Sequence, residues 1–169
     1  MTAGATIVDL AAHPEYAEIV AFWVDREWAI FSKRSFAETL ARYRDTPGPG
    51  KLPITLVALV GGHPCGVASL REKDSFDWLP DICHWVCGVY VSPDRRGMGI
   101  AGHLCRALEV RAVQLGIHQL HLATETERDS LYHRLGYAEV GQTEHHGMNY
   151  LLRKSLLSNK TYGGGDDAR

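Results

Sequence analysis

No apolar run in this chain is long enough to cross a bilayer: the longest, Ile54 to Val60, falls far short of the roughly 20 residues a spanning helix needs. Charge of either sign is not in excess, with 18 Lys+Arg against 20 Asp+Glu and a formal net charge of -2. That balance argues against a general nucleic-acid or anionic-membrane binder, which ordinarily carries a strong basic surplus, and leaves room only for a local basic site. The opening residues, Met1 to Thr6, lack the basic-then-apolar plan of a secretory signal, so the expected compartment is the cytoplasm. Cysteine is scarce. The four present, Cys65, Cys83, Cys87 and Cys105, fall in apolar contexts and read as small reduced core residues, not as a disulfide framework.

What is there is a chain of 169 residues, 45% hydrophobic, enough to bury one sizeable core without covalent staples. Ile19, Val20, Trp23, Val24 and Ile30 recur at helical spacing, which predicts a helix over Ala17 to Ala29. A second helix, over Phe36 to Tyr43, has Ser35 as its N-cap. After the helix-breaking segment Thr46 to Gly50, Ile54 to Val60 reads as a buried strand, Gly61-Gly62 as a turn, and Cys65 to Leu70 as the returning strand of a hairpin. Lys73 to Pro80 mixes charge with Phe76 and Trp78, as loops that line sites do. A buried strand from His84 to Val91 follows, then a helix from Gly102 to Leu115 with its stripe at Leu104, Cys105, Leu108 and Val113, and Gly116 as C-cap. A strand (Leu120 to Thr124), a short helix (about Arg128 to Leu135) and two strands (Tyr137 to Val140 and Met148 to Arg153) complete a single domain over residues 1–157. Residues 158–169, with Gly163-Gly164-Gly165, read as a flexible tail.

The stretch from Val89 to Gly102 leads from a strand directly into a helix through Pro93-Asp94-Arg95-Arg96-Gly97-Met98-Gly99. A helix start leaves backbone N–H groups unpaired and carries a partial positive charge. Gly97, Gly99 and Gly102 let that backbone come close to a phosphate, and Arg95 and Arg96 add forked cationic donors. The pattern fits a pyrophosphate cradle. It is not a P-loop, which needs Lys and Ser/Thr after the final Gly, nor does it follow the first strand of a βαβ unit as a dinucleotide fingerprint would. The plainer alternative is a strand-to-helix turn that is glycine-rich for geometry alone. Some thirty residues on, Ser130 to Tyr137 places Tyr132 on a short helix that ends at Gly136. A helix tyrosine is ordinarily a packing residue; beside a phosphate cradle its hydroxyl, with an ordinary pKa of about 10, is also a proton donor at neutral pH.

Taken together, Val89-Tyr90-Val91-Ser92-Pro93, Arg96-Gly97-Met98-Gly99-Ile100-Ala101 and Leu131-Tyr132-His133-Arg134-Leu135-Gly136-Tyr137 resemble the GCN5-related N-acetyltransferase (GNAT) family, over nearly the whole chain. The resemblance implies an α/β (α+β) fold: a mixed, mostly antiparallel sheet with splayed central strands, flanked by helices. It also implies an acetyl-CoA-dependent N-acetyltransferase. Carried over by position, Arg96, Gly97, Met98, Gly99, Ile100, Ala101 and Gly102 would bind the pyrophosphate of acetyl-CoA through backbone amides. Val89, Tyr90 and Val91 would pair with the pantetheine arm and orient the acetyl carbonyl, and Tyr132 would protonate the departing thiolate. The implied chemistry is direct attack of a neutral amine on the thioester, with a backbone donor stabilising the oxyanion. Glu125 and Arg128 depart from the Asn and Ala of many members, and Trp85 stands where some carry a Glu general base. His84, Asp81 and Glu72 are then the candidates to relay a proton, and an amine already deprotonated by solvent would need none.

The expected acceptor is a small-molecule or peptide amine, and the weakly acidic balance leans toward cationic ones. A homodimer is the commoner symmetric assembly. An alternative from another class is a non-catalytic acyl-CoA-binding sensor or regulatory module; a larger acyl group is a third. No metal is expected, because Cys83, His84 and Cys87 lack zinc-site spacing and strand alternation would put His84 on the face opposite the two thiols. His145-His146-Gly147 reads as a loop and not as a ligand set, with the border of the acceptor pocket as an alternative place for it.

Overall fold

The computed structural model describes residues 4–73, 79, 81–125 and 130–157. The expected loop over Lys73 to Pro80, the position of Arg128 and the expected tail therefore lie wholly or largely outside the described residues. Seven strands form one sheet: β1 (Thr6–Asp9), β2 (Ile54–Val60), β3 (His63–Arg71), β4 (Trp85–Val91), β5 (Gln119–Thr124), β6 (Ala138–Glu144) and β7 (Met148–Ser155). Their order is β1-β2-β3-β4-β5-β7-β6, and every neighbouring pair is antiparallel except β4 with β5. Helices α1 (Ala17–Trp28), α2 (Phe36–Arg44), α3 (Ile100–Gln114) and α4 (Leu131–Arg134) flank it. No helix among the described residues is long and apolar enough to cross a membrane.

Both faces of the sheet centre are covered, which is why β2 is a continuous apolar run and not an alternating one. Leu56 and Ala58 of β2 join Leu70, Val86 and the α3 residues Leu104 and Leu108 in one cluster. Val57 and Val67 point the other way, into a second cluster with Val20, Ala21 and Trp23 of α1 and Tyr43 of α2. Helix α3 lies close over β3 because Gly66 has no side chain: a Cβ there would sit 3.0 Å from the Tyr90 carbonyl and 3.3 Å from Ile100 Cγ2. Gly66→Ala is accordingly expected to cost about 1–3 kcal/mol of stability, read as a lower Tm or denaturant midpoint, because backbone cannot yield as a side chain would.

The helix ends follow their sequence signals. Ser35 Oγ accepts from the Glu38 amide while the Glu38 carboxylate accepts from the Ser35 amide, a closed capping box. Helix α3 ends as the Gly116 amide donates to Val113 and the Ile117 amide to Ala112, the paired bonds of a Schellman motif. Three expectations are corrected. Helix α3 starts at Ile100, two residues earlier than Gly102, and its buried stripe runs Ile100, Leu104, Leu108, Ala112; Val113 is 49% exposed. Ile30 lies past the end of α1 and is 82% exposed, so its helical spacing is coincidental. Strand β1 went unpredicted: four residues are too few for a pattern, and it exists by pairing with β2.

The cysteines divide. Cys65 and Cys105 are buried core residues as expected, whereas Cys83 and Cys87 are only partly buried, and Cys83 lies outside β4. His84 also lies outside the strand, with φ 62, so the strand alternation expected for Cys83 and His84 does not apply. Its amide donates to the Glu72 carbonyl and its carbonyl accepts from the His121 amide, both at 2.9 Å. His121 Nδ1 donates to the Cys83 carbonyl at 2.8 Å; burial lowers the His121 pKa, and this bond opposes that shift only in part. These bonds clasp the start of β4 to β5.

Candidate active site

Beyond the clasp the two parallel strands separate. Trp85 opposite His121 is the one ladder position β4 shares with β5, although both strands continue for several residues. Within the free part of β4 the register against β3 slips: Val67 faces Tyr90 and Ser69 faces Cys87, so Ala68 alone opposes both Gly88 and Val89. That extra residue is a β-bulge, and Gly88 makes it with φ +60, a left-handed conformation that side chains disfavour. A bulge re-aims the backbone and withdraws it from regular pairing.

The divergence opens a cleft of about 520 Å³. Val86, Cys87, Gly88 and Val89 line it from β4, and Leu122, Ala123 and Thr124 from β5, with Glu125 just beyond. Helix α1 and the turn after it contribute Asp25, Glu27, Trp28 and Phe31; α2 contributes Thr39, Arg42 and Tyr43, and β3 contributes Arg71. His145 and Asn149 border the cleft from the β6–β7 hairpin. Asn149 Nδ2 holds the hairpin turn by donating to the His145 and Gly147 carbonyls at 3.0 Å. The His146 ring packs 5.1 Å from Phe31, which joins this hairpin to the turn after α1.

Tyr132 faces the cleft from α4. Ser130 caps this single turn, and the Tyr132 carbonyl accepts the Tyr137 amide at 3.0 Å, so the backbone carrying the phenol is held at both ends. Burial, with smaller contributions from Cys105 and Cys87, raises the Tyr132 pKa, which keeps the hydroxyl protonated well into alkaline solution.

The glycine-rich turn follows β4 as the sequence indicates. Arg96 Nε donates to the Val91 carbonyl at 3.0 Å and its guanidinium lies 5.9 Å from the Tyr90 ring, folding the turn back onto the strand end. Arg95 pairs with Asp94 at 3.2 Å. Gly99, at φ +75, is the N-cap of α3 and supplies no side-chain cap to its first amides. A Cβ on Gly97 or Gly99 would meet nothing within 4 Å, so the space over these amides is open, as a phosphate cradle requires. Ile100 turns its side chain into the core and Gly102 is buried, whereas Arg96 and Met98 are exposed beside the two glycines, Met98 at 39%. Of the strand trio, Val89 lines the cleft, Tyr90 stacks on Trp23 at 5.3 Å and Val91 is buried.

None of the expected proton relays, His84, Asp81 or Glu72, lines the cleft; the carboxylates that do are Asp25, Glu27 and Glu125. Trp85 is 2% exposed with its indole donating to the Ile82 carbonyl, so it is a core residue. Arg42, Tyr43 and Arg71 were missed by the sequence reading, because nothing in a short amphipathic helix says which strand its polar edge will meet. Among the described residues no three His, Cys, Asp or Glu side chains converge as a metal site.

Comparison with known proteins places this geometry. The model of the acetyltransferase (GNAT) family matches residues 20–137. Among solved structures, an N-acetyltransferase from Staphylococcus aureus Mu50 superposes with a TM-score of 0.70 at 17% identity, covering 92% of this chain and 100% of its own. The protein yncA from Salmonella typhimurium, solved with its cofactor acetyl-CoA, gives 0.66 at 24% identity, covering 92% and 95%. An aminoglycoside 6'-N-acetyltransferase complexed with coenzyme A gives 0.68 at 14% identity, covering 90% and 97%. No curated protein sequence matches the chain. With a family match over most of its length, a mostly antiparallel sheet that parts at β4, and a glycine turn opening α3, the chain belongs to the acetyltransferase (GNAT) family.

Proposed function

We propose that this acetyltransferase transfers the acetyl group of acetyl-CoA directly to the primary amine of a small molecule or peptide, in the cytoplasm. The observation that carries the reading is the Gly88 bulge in the part of β4 that no longer pairs with β5, with Tyr132 on the wall of the same cleft. Acetyl-CoA, when bound, supplies the activated acyl group. The turn that is open at Gly97 and Gly99, with the first amides of α3 as far as Gly102, would hold its pyrophosphate, and the backbone of Val89 to Val91, freed from β5, would hold its pantetheine arm. A backbone N–H at the bulge is suited to stabilise charge that develops on the carbonyl oxygen, since it is aimed before the reaction starts. Tyr132 Oη holds a proton for the departing sulfur. Asp25, Glu27 and Glu125 are placed to take a proton from the amine, directly or through water.

A calorimetric titration should show saturable acetyl-CoA binding in the micromolar range, and a thiol-release assay with a panel of amines should show turnover. Absence of binding at high micromolar concentration would sink the proposal, and binding without thiol release from any amine would favour the sensor alternative. Gly99→Val bears on the cradle separately: a β-branched residue at φ +75 disturbs the amides that face the phosphates. The acetyl-CoA Kd should rise about tenfold, the scale of losing a hydrogen bond to a charged group. An unchanged Kd in a folded variant would remove the turn from cofactor binding.

A further inference from the structure

We propose that the amine acceptor carries its own carboxylate, as a free amino acid does, and that Arg42, with Arg71 beside Tyr43, holds that carboxylate in the cleft. The inference rests on the acetyl-transfer reading and names its substrate class.

Arg42 is half-buried in the cleft wall, and among the described residues no carboxylate lies within 4 Å of its guanidinium. Arg34 and Arg71 line the same cleft. Desolvation first, then the charges of Arg71 and Arg34, lower the Arg42 pKa, so the surroundings act against its charge. A guanidinium taken partly out of water beside like charges is costly unless an anion completes it, and the forked donors of arginine match a carboxylate in two parallel bonds.

The position of this wall limits the size of the acceptor. The Arg71 guanidinium lies 5.6 Å from the centre of the Tyr43 ring, and Tyr43 Oη lies 3.9 Å from where a Cβ on Gly88 would sit. Through Tyr43 the cationic wall reaches the bulge, where the acyl carbonyl is to be presented, and Arg42 lines the same cleft. A ligand that reaches both has its amine and its acid only a few atoms apart, which an amino acid has and a lysine within a protein or a simple polyamine does not. Burial holds the Tyr43 phenol neutral, so it can donate to the same carboxylate. Asp25, Glu27 and Glu125 elsewhere on the lining would attract the ammonium end, and Trp28 and Phe31 offer apolar surface to a side chain. The net charge of -2 pointed to cationic acceptors; a sum over the chain says nothing about which sign a cleft presents.

The test compares, for the full chain, acetyl-CoA-dependent thiol release with free L-amino acids, with the same amino acids as carboxamides, and with putrescine. The free acids should be used with kcat/KM about 30-fold above their amides. Arg42→Gln should lower kcat/KM for the acids about 10- to 30-fold, mainly through KM, and leave the amides unchanged; Arg42→Lys should recover part of the loss. Amides or putrescine used as well as the acids would overturn the carboxylate site while acetyl transfer stands. Arg42→Gln lowering acids and amides alike would also overturn it. Thiol release from none of the amines would remove the acetyl-transfer reading and this inference together.

Discussion

Tyr132→Phe is expected to lower kcat about 100-fold while leaving the Tm and the acetyl-CoA Kd close to those of the parent. The size follows from the ordinary worth of a positioned general acid, which is about 10² to 10⁴ in rate. The selectivity follows from packing: the ring lies edge-on to Tyr137 at 6.3 Å and against the main core cluster, contacts that phenylalanine keeps. Only the hydroxyl of this cleft-lining residue is lost. A pH profile gives an independent check. Because burial raises the Tyr132 pKa above the ordinary value of about 10, the acid form persists as pH rises, and the parent enzyme should not lose activity through this group below about pH 10. Steady-state thiol release at saturating acetyl-CoA measures both. A folded variant with full kcat would take Tyr132 out of proton transfer and leave it as a packing residue.

The second large effect is expected at Gly88. Gly88→Val should lower kcat about 100-fold and reduce stability by about 1–2 kcal/mol, because a β-branched residue is strongly disfavoured at φ +60. Relief of that strain would draw β4 toward regular pairing with β3, and a one-residue slip turns each following side chain to the other face. Displacing a reacting group by about 1 Å already costs on the order of 10² in rate. Crowding is not the cause, since an added Cβ would meet only Tyr43 Oη, at 3.9 Å. The double variant Gly88→Val, Tyr43→Phe should therefore recover no activity. Recovery in that variant, or a Gly88→Val enzyme with normal kcat, would show that the bulge does not position the reacting groups.

The two halves of the putting-together were unequally visible in the amino-acid order. Ser35 three residues before Glu38, Gly116 after α3 and Gly61-Gly62 between two apolar runs are local devices, and each stands where it was expected because its hydrogen bonds close within a few residues. The glycine turn and Tyr132 were legible for the same reason: a strand-to-helix turn and a one-turn helix are short-range structures. The carboxylates of the cleft were not legible. His84, Asp81 and Glu72 were singled out by closeness along the chain or on a neighbouring strand, yet none lines the cleft, while Asp25, Glu27 and Glu125 do.

What the order of residues determined by itself was the helices and strands other than β1, the cradle-like turn and the family resemblance, since periodicity, capping and turn chemistry act over fewer than a dozen positions. The tertiary structure decided three things. It let β4 leave β5 after one paired position, put the extra residue of the bulge at Gly88, and brought Arg42, Tyr43 and Arg71 from two elements to the cleft that the bulge lines. Each depends on a register or a packing between segments distant in sequence, and such contacts are set by the joint burial of many apolar faces rather than by any one segment's pattern.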